Sequence, residues 1–226
     1  MGDATQAKAA SLIQSLDRRY GKVEKPVVVP PPASADAAAV ASVSAKNAQT
    51  FAGVVLGLHG PPAEGAEAAK KLMGYFVDWN EVRVSRPMTL VTVLGRQPRG
   101  QQRIQLLQRF LESYFLRQRS LNLDYLYTLK TNEAKRFLQE LEVFDREELA
   151  AVYLTGFNVP VFPPSDMLRD VAENVGLIKP KVTTLQMAKK FETSLNEDLL
   201  YSLYSHLYSL AYDADALKQY GKKKKK

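Results

Sequence analysis

Apolar residues recur at helical spacing over most of this chain. The clearest stripe lies in residues 101–118 and consists of Ile104, Leu107, Phe110, Leu111, Tyr114 and Phe115. A period near 3.6 residues is typical of an amphipathic helix with one buried face. Similar patterns predict helices at 6–20, 51–58, 66–77, 88–94, 122–129, 132–141, 146–156, 165–175, 183–194 and 196–212.

Strand-like runs are rare in the sequence. Val27–Val29 and Leu90–Val93 have strand composition, but neither has a partner of matching length. Residues 78–87 are expected to form a loop, and the other connections between helices are short. The pattern therefore predicts an all-α fold.

The pattern also divides the chain into four parts. Residues 1–21 form an amphipathic helix, and residues 22–47 form a Pro/Ala-rich linker in which Pro30–Pro32 exclude a helix. The Ala-rich second half of this linker is compatible with a helix. A helical domain follows at residues 48–215, and a lysine-rich tail at 216–226 ends the chain.

Composition narrows the possible classes of protein. With 226 residues, 46% hydrophobic and 24% charged, the chain is long and apolar enough for a globular core. It has no cysteine, which excludes disulfides, thiolate zinc sites, a cysteine-ligated iron–sulfur cluster and a cysteine nucleophile. The two histidines, His59 and His206, would have to meet to form a histidine-based metal site, so we predict no metal and no cofactor. Without a leader pattern or an apolar run of about 18 residues, we expect a cytoplasmic protein with no membrane partner.

The positive charge is concentrated at the C-terminus. Lysine and arginine exceed aspartate and glutamate by 31 − 24 = +7, and Lys222–Lys226 contribute five of these charges. A lysine tail can bind a polyanion by releasing counterions without reading its sequence. The alternative is a solvated tail that only improves solubility.

Five segments carry a resemblance to a known family. They are FVDWNEVRVS at 76–85, Gly95 followed by Arg103–Ile104, LQELEVFDREELAAVYL at 138–154, PVFPPSDMLRDVAENVGLI at 160–178, and the helix at 195–211. In this order, over about residues 48–212, they resemble the helix-hairpin-helix (HhH-GPD) DNA glycosylase superfamily that contains endonuclease III. The resemblance implies an all-α glycosylase fold, a role in base-excision repair and binding of double-stranded DNA.

The positions that carry the family's chemistry are substituted here. The hairpin glycines fall on Val143 and Asp145, where a branched side chain and a negative charge make a poor cradle for phosphate. The lyase lysine falls on Glu147, which cannot form a Schiff base. The catalytic aspartate falls on Ser165, which carries no charge. The sequence therefore favours a catalytically degenerate relative.

Asp166, one residue further on, leaves a second hypothesis open. Ser165 can be a helix N-cap with Asp166 as a first-turn acid. Alternatively, a local shift restores Asp166 to the catalytic place, and the protein is an active monofunctional DNA glycosylase. A third hypothesis is a protein-interaction module that does not bind DNA.

Several side chains are candidates for contact with DNA. Those that flank the family's DNA-facing loops, together with the tail, are Arg99, Arg103, Lys135, Arg136, Arg146, Lys222, Lys223, Lys224, Lys225 and Lys226. Tyr201, Tyr204, Tyr208 and Tyr212 form either a base-stacking platform or a packed helix face. Trp79 is either a wedge into DNA or an anchor for its loop, and we interpret both histidines as packing or capping residues.

Overall fold

A computed structural model describes residues 2–26, 37–95 and 99–221 of the chain. These residues form helices and contain no strand, which confirms the predicted all-α fold. The run Leu90–Val93 lies within a helix, whereas Val27–Val29 lies outside the described residues. No helix in the described ranges is long and apolar enough to cross a bilayer.

The helices are α1 (Gly2–Tyr20), α2 (Ala37–Leu56), α3 (Pro62–Tyr75), α4 (Trp79–Val84), α5 (Pro87–Leu94), α6 (Gly100–Gln118), α7 (Asp124–Thr128), α8 (Thr131–Glu140), α9 (Arg146–Gly156), α10 (Asp166–Asn174), α11 (Thr184–Ser194), α12 (Glu197–Tyr212) and α13 (Ala214–Tyr220). They belong to two compact units. The central unit is Pro26–Asp145, and the terminal unit is Met1–Lys25 together with Arg146–Lys226.

In the central unit, α2 packs against α3 and α6. The Phe51 ring of α2 lies 4.8 Å from Phe110 of α6, at the centre of an aromatic cluster. Close approach of α2 and α3 depends on Gly65, because a Cβ atom there would lie 2.2 Å from the carbonyl oxygen of Gly53. At the other end of α2, the Asn47 amide and the Ser44 hydroxyl donate to the buried carboxylate of Asp124.

In the terminal unit, α12 is the central helix, and α1, α9, α10 and α13 pack against it. His206 of α12 is fully buried, with its Nε2 2.8 Å from Oδ1 of Asp17 in α1. Arg19 and Tyr20, at the end of α1, donate to the carboxylate of Asp213, which follows α12. The first helix therefore belongs to the core of this unit, although residues 27–36, which follow it in sequence, lie outside the described ranges.

Three elements differ from the expected organisation. The helix α2 begins at Ala37, so a linker can extend to residue 36 at most, and the boundary predicted at residue 48 lies inside this helix. Alanine has the highest helix propensity, and the contacts to Asp124 hold the first half of α2 in place. The helix α13 occupies most of the segment that was predicted as tail, because Asp213 caps it by accepting from the amide of Ala216 at 2.9 Å.

The loop predicted at residues 78–87 was also wrong, since α4 lies there. The Asp78 carboxylate accepts from the Glu81 amide, and the Glu81 carboxylate accepts from the Val77 amide, both at 2.8 Å. This reciprocal pair is a capping box, and its signal, an aspartate three residues before a glutamate, was visible in the sequence. Trp79 begins α4 and is 7% exposed, which supports its interpretation as an anchor.

Candidate functional site

The turn that corresponds to the family's hairpin follows α8. Glu142 adopts the left-handed conformation there, with φ of 53°. Val143 is buried, and the adjacent Phe144 ring packs 5.8 Å from Phe110 in the core of the central unit. The first glycine position of the family is therefore occupied by a core side chain, and the second by the exposed Asp145. A bare backbone that could closely approach a phosphate is not present at these two residues.

Glu147 and Ser165 are brought together by a residue that the sequence comparison did not select. The Tyr208 hydroxyl, from α12, donates to Oε1 of Glu147 in α9 at 3.2 Å. It also shares a hydrogen bond with the side chain of Ser165, the N-cap of α10. We call Glu147, Ser165 and Tyr208 the Tyr208 cluster. Both positions that carry catalytic groups in the family therefore contribute to the same hydrogen-bonded cluster, which contains neither a lysine nor an aspartate.

The electrostatics of the Tyr208 cluster keep its phenol protonated. Burial raises the pKa of Tyr208 well above its usual value, and the nearby charge of Glu147 raises it further, while the hydrogen bond with Ser165 acts in the opposite direction. Tyr204 packs edge-on against Tyr208 with a ring separation of 5.0 Å, and burial strongly raises its pKa as well. At neutral pH the phenol is therefore a hydrogen-bond donor to Glu147. It is not a nucleophile, because a nucleophile would have to be a phenolate.

Asp166 lies outside this cluster. Its side chain is 79% exposed and its Oδ1 is 2.7 Å from a guanidinium nitrogen of Arg169, three residues along α10. Ser165 accepts from the Leu168 amide at 3.5 Å and is 2% exposed. The structure therefore agrees with the interpretation of Ser165 as N-cap and Asp166 as first-turn acid. Asp166 shares its helix face with Asp170 and Glu173, which are four and seven residues further on.

Arg103 was predicted to contact DNA, and its position shows that this prediction was wrong. Its side chain is 2% exposed, with NH1 3.2 Å from Oε2 of Glu64 and NH2 3.3 Å from the carbonyl oxygen of His59. Arg103 precedes Leu107 by four residues and Phe110 by seven, so it shares the buried face of α6. This spacing was a signal in the sequence that we did not use.

The other described candidates are at the surface. Arg99 is exposed as the N-cap of α6, and Arg146 is exposed at the start of α9 in the terminal unit. On α8, Lys135 is half-buried, whereas the side chain of Arg136 is 82% exposed and its Nε donates to Oε1 of Glu140 at 2.7 Å. Lys222–Lys226 lie outside the described residues.

Glu140 also accepts from Arg117, a residue that the sequence assigned only to a solvated basic face. The hydrogen bonds from Arg136, and next those from Arg117, lower the pKa of Glu140, so the carboxylate is charged at neutral pH. Two arginines thus share a single carboxylate, which leaves this surface of the central unit with a net positive charge. The guanidinium of Arg117 lies 5.0 Å from the ring centroid of Phe137, which orients it.

The tyrosines of α12 do not form a stacking platform. Tyr201, Tyr204 and Tyr208 are each at most 2% exposed, and only Tyr212, at 39%, reaches solvent. The interpretation as a packed helix face is therefore correct. No group of three or more His, Asp or Glu side chains in the described part of the chain could hold a metal ion.

The fold has a counterpart among solved structures. A structure of a trapped endonuclease III–DNA covalent intermediate, an estranged-adenine complex, matches with a TM-score of 0.52 and 11% sequence identity. The match covers 89% of this chain and 84% of that chain. No family model matches the sequence, and no curated protein matches it. The likeness shows that the chain has the endonuclease III-like, all-α fold that the resemblance implied.

Proposed function

We propose that the protein binds double-stranded DNA, largely without sequence preference, and has lost the base-excision chemistry of endonuclease III. The observation that carries this proposal is the Tyr208 cluster. The positions of the lyase lysine and the catalytic aspartate hold Glu147 and Ser165, and both are hydrogen-bonded to a buried, protonated phenol. The group offers no amine for a Schiff base, and its single carboxylate is already a hydrogen-bond acceptor for Tyr208.

Binding of DNA is supported by the fold and by charge. The exposed guanidinium groups of Arg99, Arg136 and Arg146, and the five tail lysines, supply cations for phosphate contacts. A role in DNA repair at the level of binding, and the cytoplasmic location expected from the sequence, belong to this proposal.

Binding is tested by fluorescence anisotropy with a labelled duplex over a range of salt concentrations. We expect log K to fall linearly with log salt, and each lost phosphate contact should reduce the slope by about 0.9. Arg136→Gln should reduce the slope by that amount. Arg18→Gln, which removes the same charge from an exposed residue of α1 outside the candidate set, should not. If the intact protein does not bind a duplex even at low salt, the interaction-module hypothesis is favoured instead.

Catalysis is tested on duplexes that contain damaged or mismatched bases, with release of the base as the readout. We expect no release, and no covalent trapping when borohydride is added, because Glu147 cannot form the imine that borohydride reduces. The active-glycosylase hypothesis requires release that Asp166→Asn abolishes. Asp170→Asn is the matched control, since both carboxylates are exposed on α10 and both pair with Arg169.

A further inference from the structure

A groove of about 740 Å³ lies in the terminal unit between α10 and α13. Asp170, Glu173 and Asn174 line it from α10, and Leu217 and Gly221 line it from the other side. Nothing in the proposed DNA-binding function uses this groove, and its charge has the wrong sign for phosphate.

One wall of the groove continues into an acidic face of α10, which we call the acidic stripe: Asp166, Asp170 and Glu173. The spacing of four and three residues places these carboxylates on one side of the helix. Asp166 and Asp170 are 79% and 68% exposed. Arg169 is the cation of this helix and pairs with both aspartates, so three carboxylates share a single guanidinium. Lys218 also lines the groove, but it lies 3.7 Å from Asp215 of its own helix.

The described chain ends inside this groove. Gly221 is the C-cap of α13, and it lies so close to the last residue of α10 that a Cβ atom would be 2.3 Å from Oδ1 of Asn174. The carboxyl ends of α10 and α13 therefore meet where the chain continues. Because the carboxyl end of a helix carries a partial negative charge, cations are favoured there. The next residue in the sequence is Lys222.

We propose that Lys222–Lys226 dock along the acidic stripe of the same molecule and that DNA phosphates compete with the stripe for these lysines. Five extended residues span about 17 Å, and the nine residues of α10 span about 13 Å, so the tail can reach from Gly221 to Asp166. The five ammonium groups exceed the uncompensated charge of the stripe, and no additional partner is needed to attract them. The consequence for DNA rests on the proposed function, whereas the docking itself does not.

Docking is tested without DNA by paramagnetic broadening. The chain has no cysteine, so Lys226→Cys supplies a unique site for a nitroxide label on the full-length protein. We expect the label to broaden the backbone amide signals of residues 166–174 at low salt. At about 1 M salt, where the Debye length is about 3 Å, the broadening should disappear.

The double variant Asp170→Asn/Glu173→Gln should reduce this broadening severalfold. Glu24→Gln/Glu67→Gln, which removes two exposed charges outside the groove, should leave it unchanged. Absence of broadening, or equal broadening in both variants, would overturn the proposal. Broadening that appears only when labelled and isotope-enriched molecules are mixed would assign the stripe to the tail of a second copy, and would also overturn it.

The consequence for DNA is tested by anisotropy. Asp170→Asn/Glu173→Gln should steepen the salt slope by up to about 0.9 for each lysine that the stripe releases. Removal of residues 222–226 should eliminate this gain, and an equal gain without the tail would contradict the competition. If the protein binds no DNA but the broadening persists, the proposed function fails and the docking stands.

Discussion

Arg103 and Asp166 occupy similar places in their helices but have opposite surroundings. Each lies in the first turn and pairs with an oppositely charged side chain. The side chain of Arg103 is 2% exposed because it lies in line with the apolar stripe of α6. That of Asp166 is 79% exposed because it lies in line with other acidic residues of α10. The helix face, rather than the residue type, decides whether a charged group can reach a ligand.

The same contrast separates the Tyr208 cluster from the arginine pair at Glu140. In the cluster, the partners are held by burial, and their protonation is displaced from the ordinary state. At Glu140, the groups are near solvent, where salt and water weaken each pair to at most about 1 kcal/mol. A surface of the second kind can exchange its partners for phosphates at low cost, whereas a cluster of the first kind cannot. The following predictions compare the two kinds of site, beginning with the largest effect.

Arg103→Met should lower the free energy of unfolding by about 3 kcal/mol, because it leaves Glu64 and the His59 carbonyl without their donor. Urea unfolding followed by circular dichroism measures the change. The control is Arg109→Met, an exposed arginine of the same helix, for which we expect a change within about 0.5 kcal/mol. Equal losses in the two variants would mean that burial does not distinguish these arginines.

Stability should fall as the pH rises above about 10, since the unfolded tyrosines ionise near this value. Burial raises the pKa of Tyr201 to about 12, so the folded protein keeps this proton while the unfolded chain loses it. Tyrosine therefore stabilises the fold fully below pH 10, and this contribution decreases between pH 10 and 12. Tyr201→Phe should make the decline shallower, and Tyr212→Phe, at an exposed position, should not. Thermal unfolding at stepped pH gives both slopes.

Tyr208→Phe should cost about 1 kcal/mol, the typical contribution of an intramolecular hydrogen bond, because the ring remains and Glu147 loses its donor. Chemical denaturation measures this cost against Ser209→Ala, whose hydroxyl donates within α12 to the carbonyl of Ser205. If Tyr208→Phe is neutral, the Tyr208 cluster does not stabilise the terminal unit.

Asp166→Asn should have the smallest effect, a loss of less than about 1 kcal/mol. The first-turn charge interacts with the helix dipole and with Arg169, but both interactions are near solvent. Asp170→Asn keeps the dipole interaction and should cost even less. A loss of several kcal/mol in Asp166→Asn would show that the carboxylate has a buried role that the surface ion pair does not explain.

The sequence was informative wherever structure depends on near neighbours. The stripe of α6, the capping residue Ser165 and the packed tyrosine face of α12 follow from helical spacing, and all three are observed. The helix α4 was missed although its capping box is also local, because Asp78 and Glu81 were read as loop residues. The candidate site was harder to predict, since the role of Arg103 depends on a glutamate 39 positions away.

By itself, the sequence determined the all-α class, the absence of thiol ligands and the substitutions at the family's catalytic positions, because helical periodicity and residue identity are local properties. Only the tertiary structure decided which polar groups meet. Tyr208 joins Glu147 across 61 residues of sequence, and Gly221 packs on Asn174 at the end of another helix. Such contacts depend on how helices pack side by side, and the burial that follows from packing sets the protonation and availability of each charged or hydroxyl group.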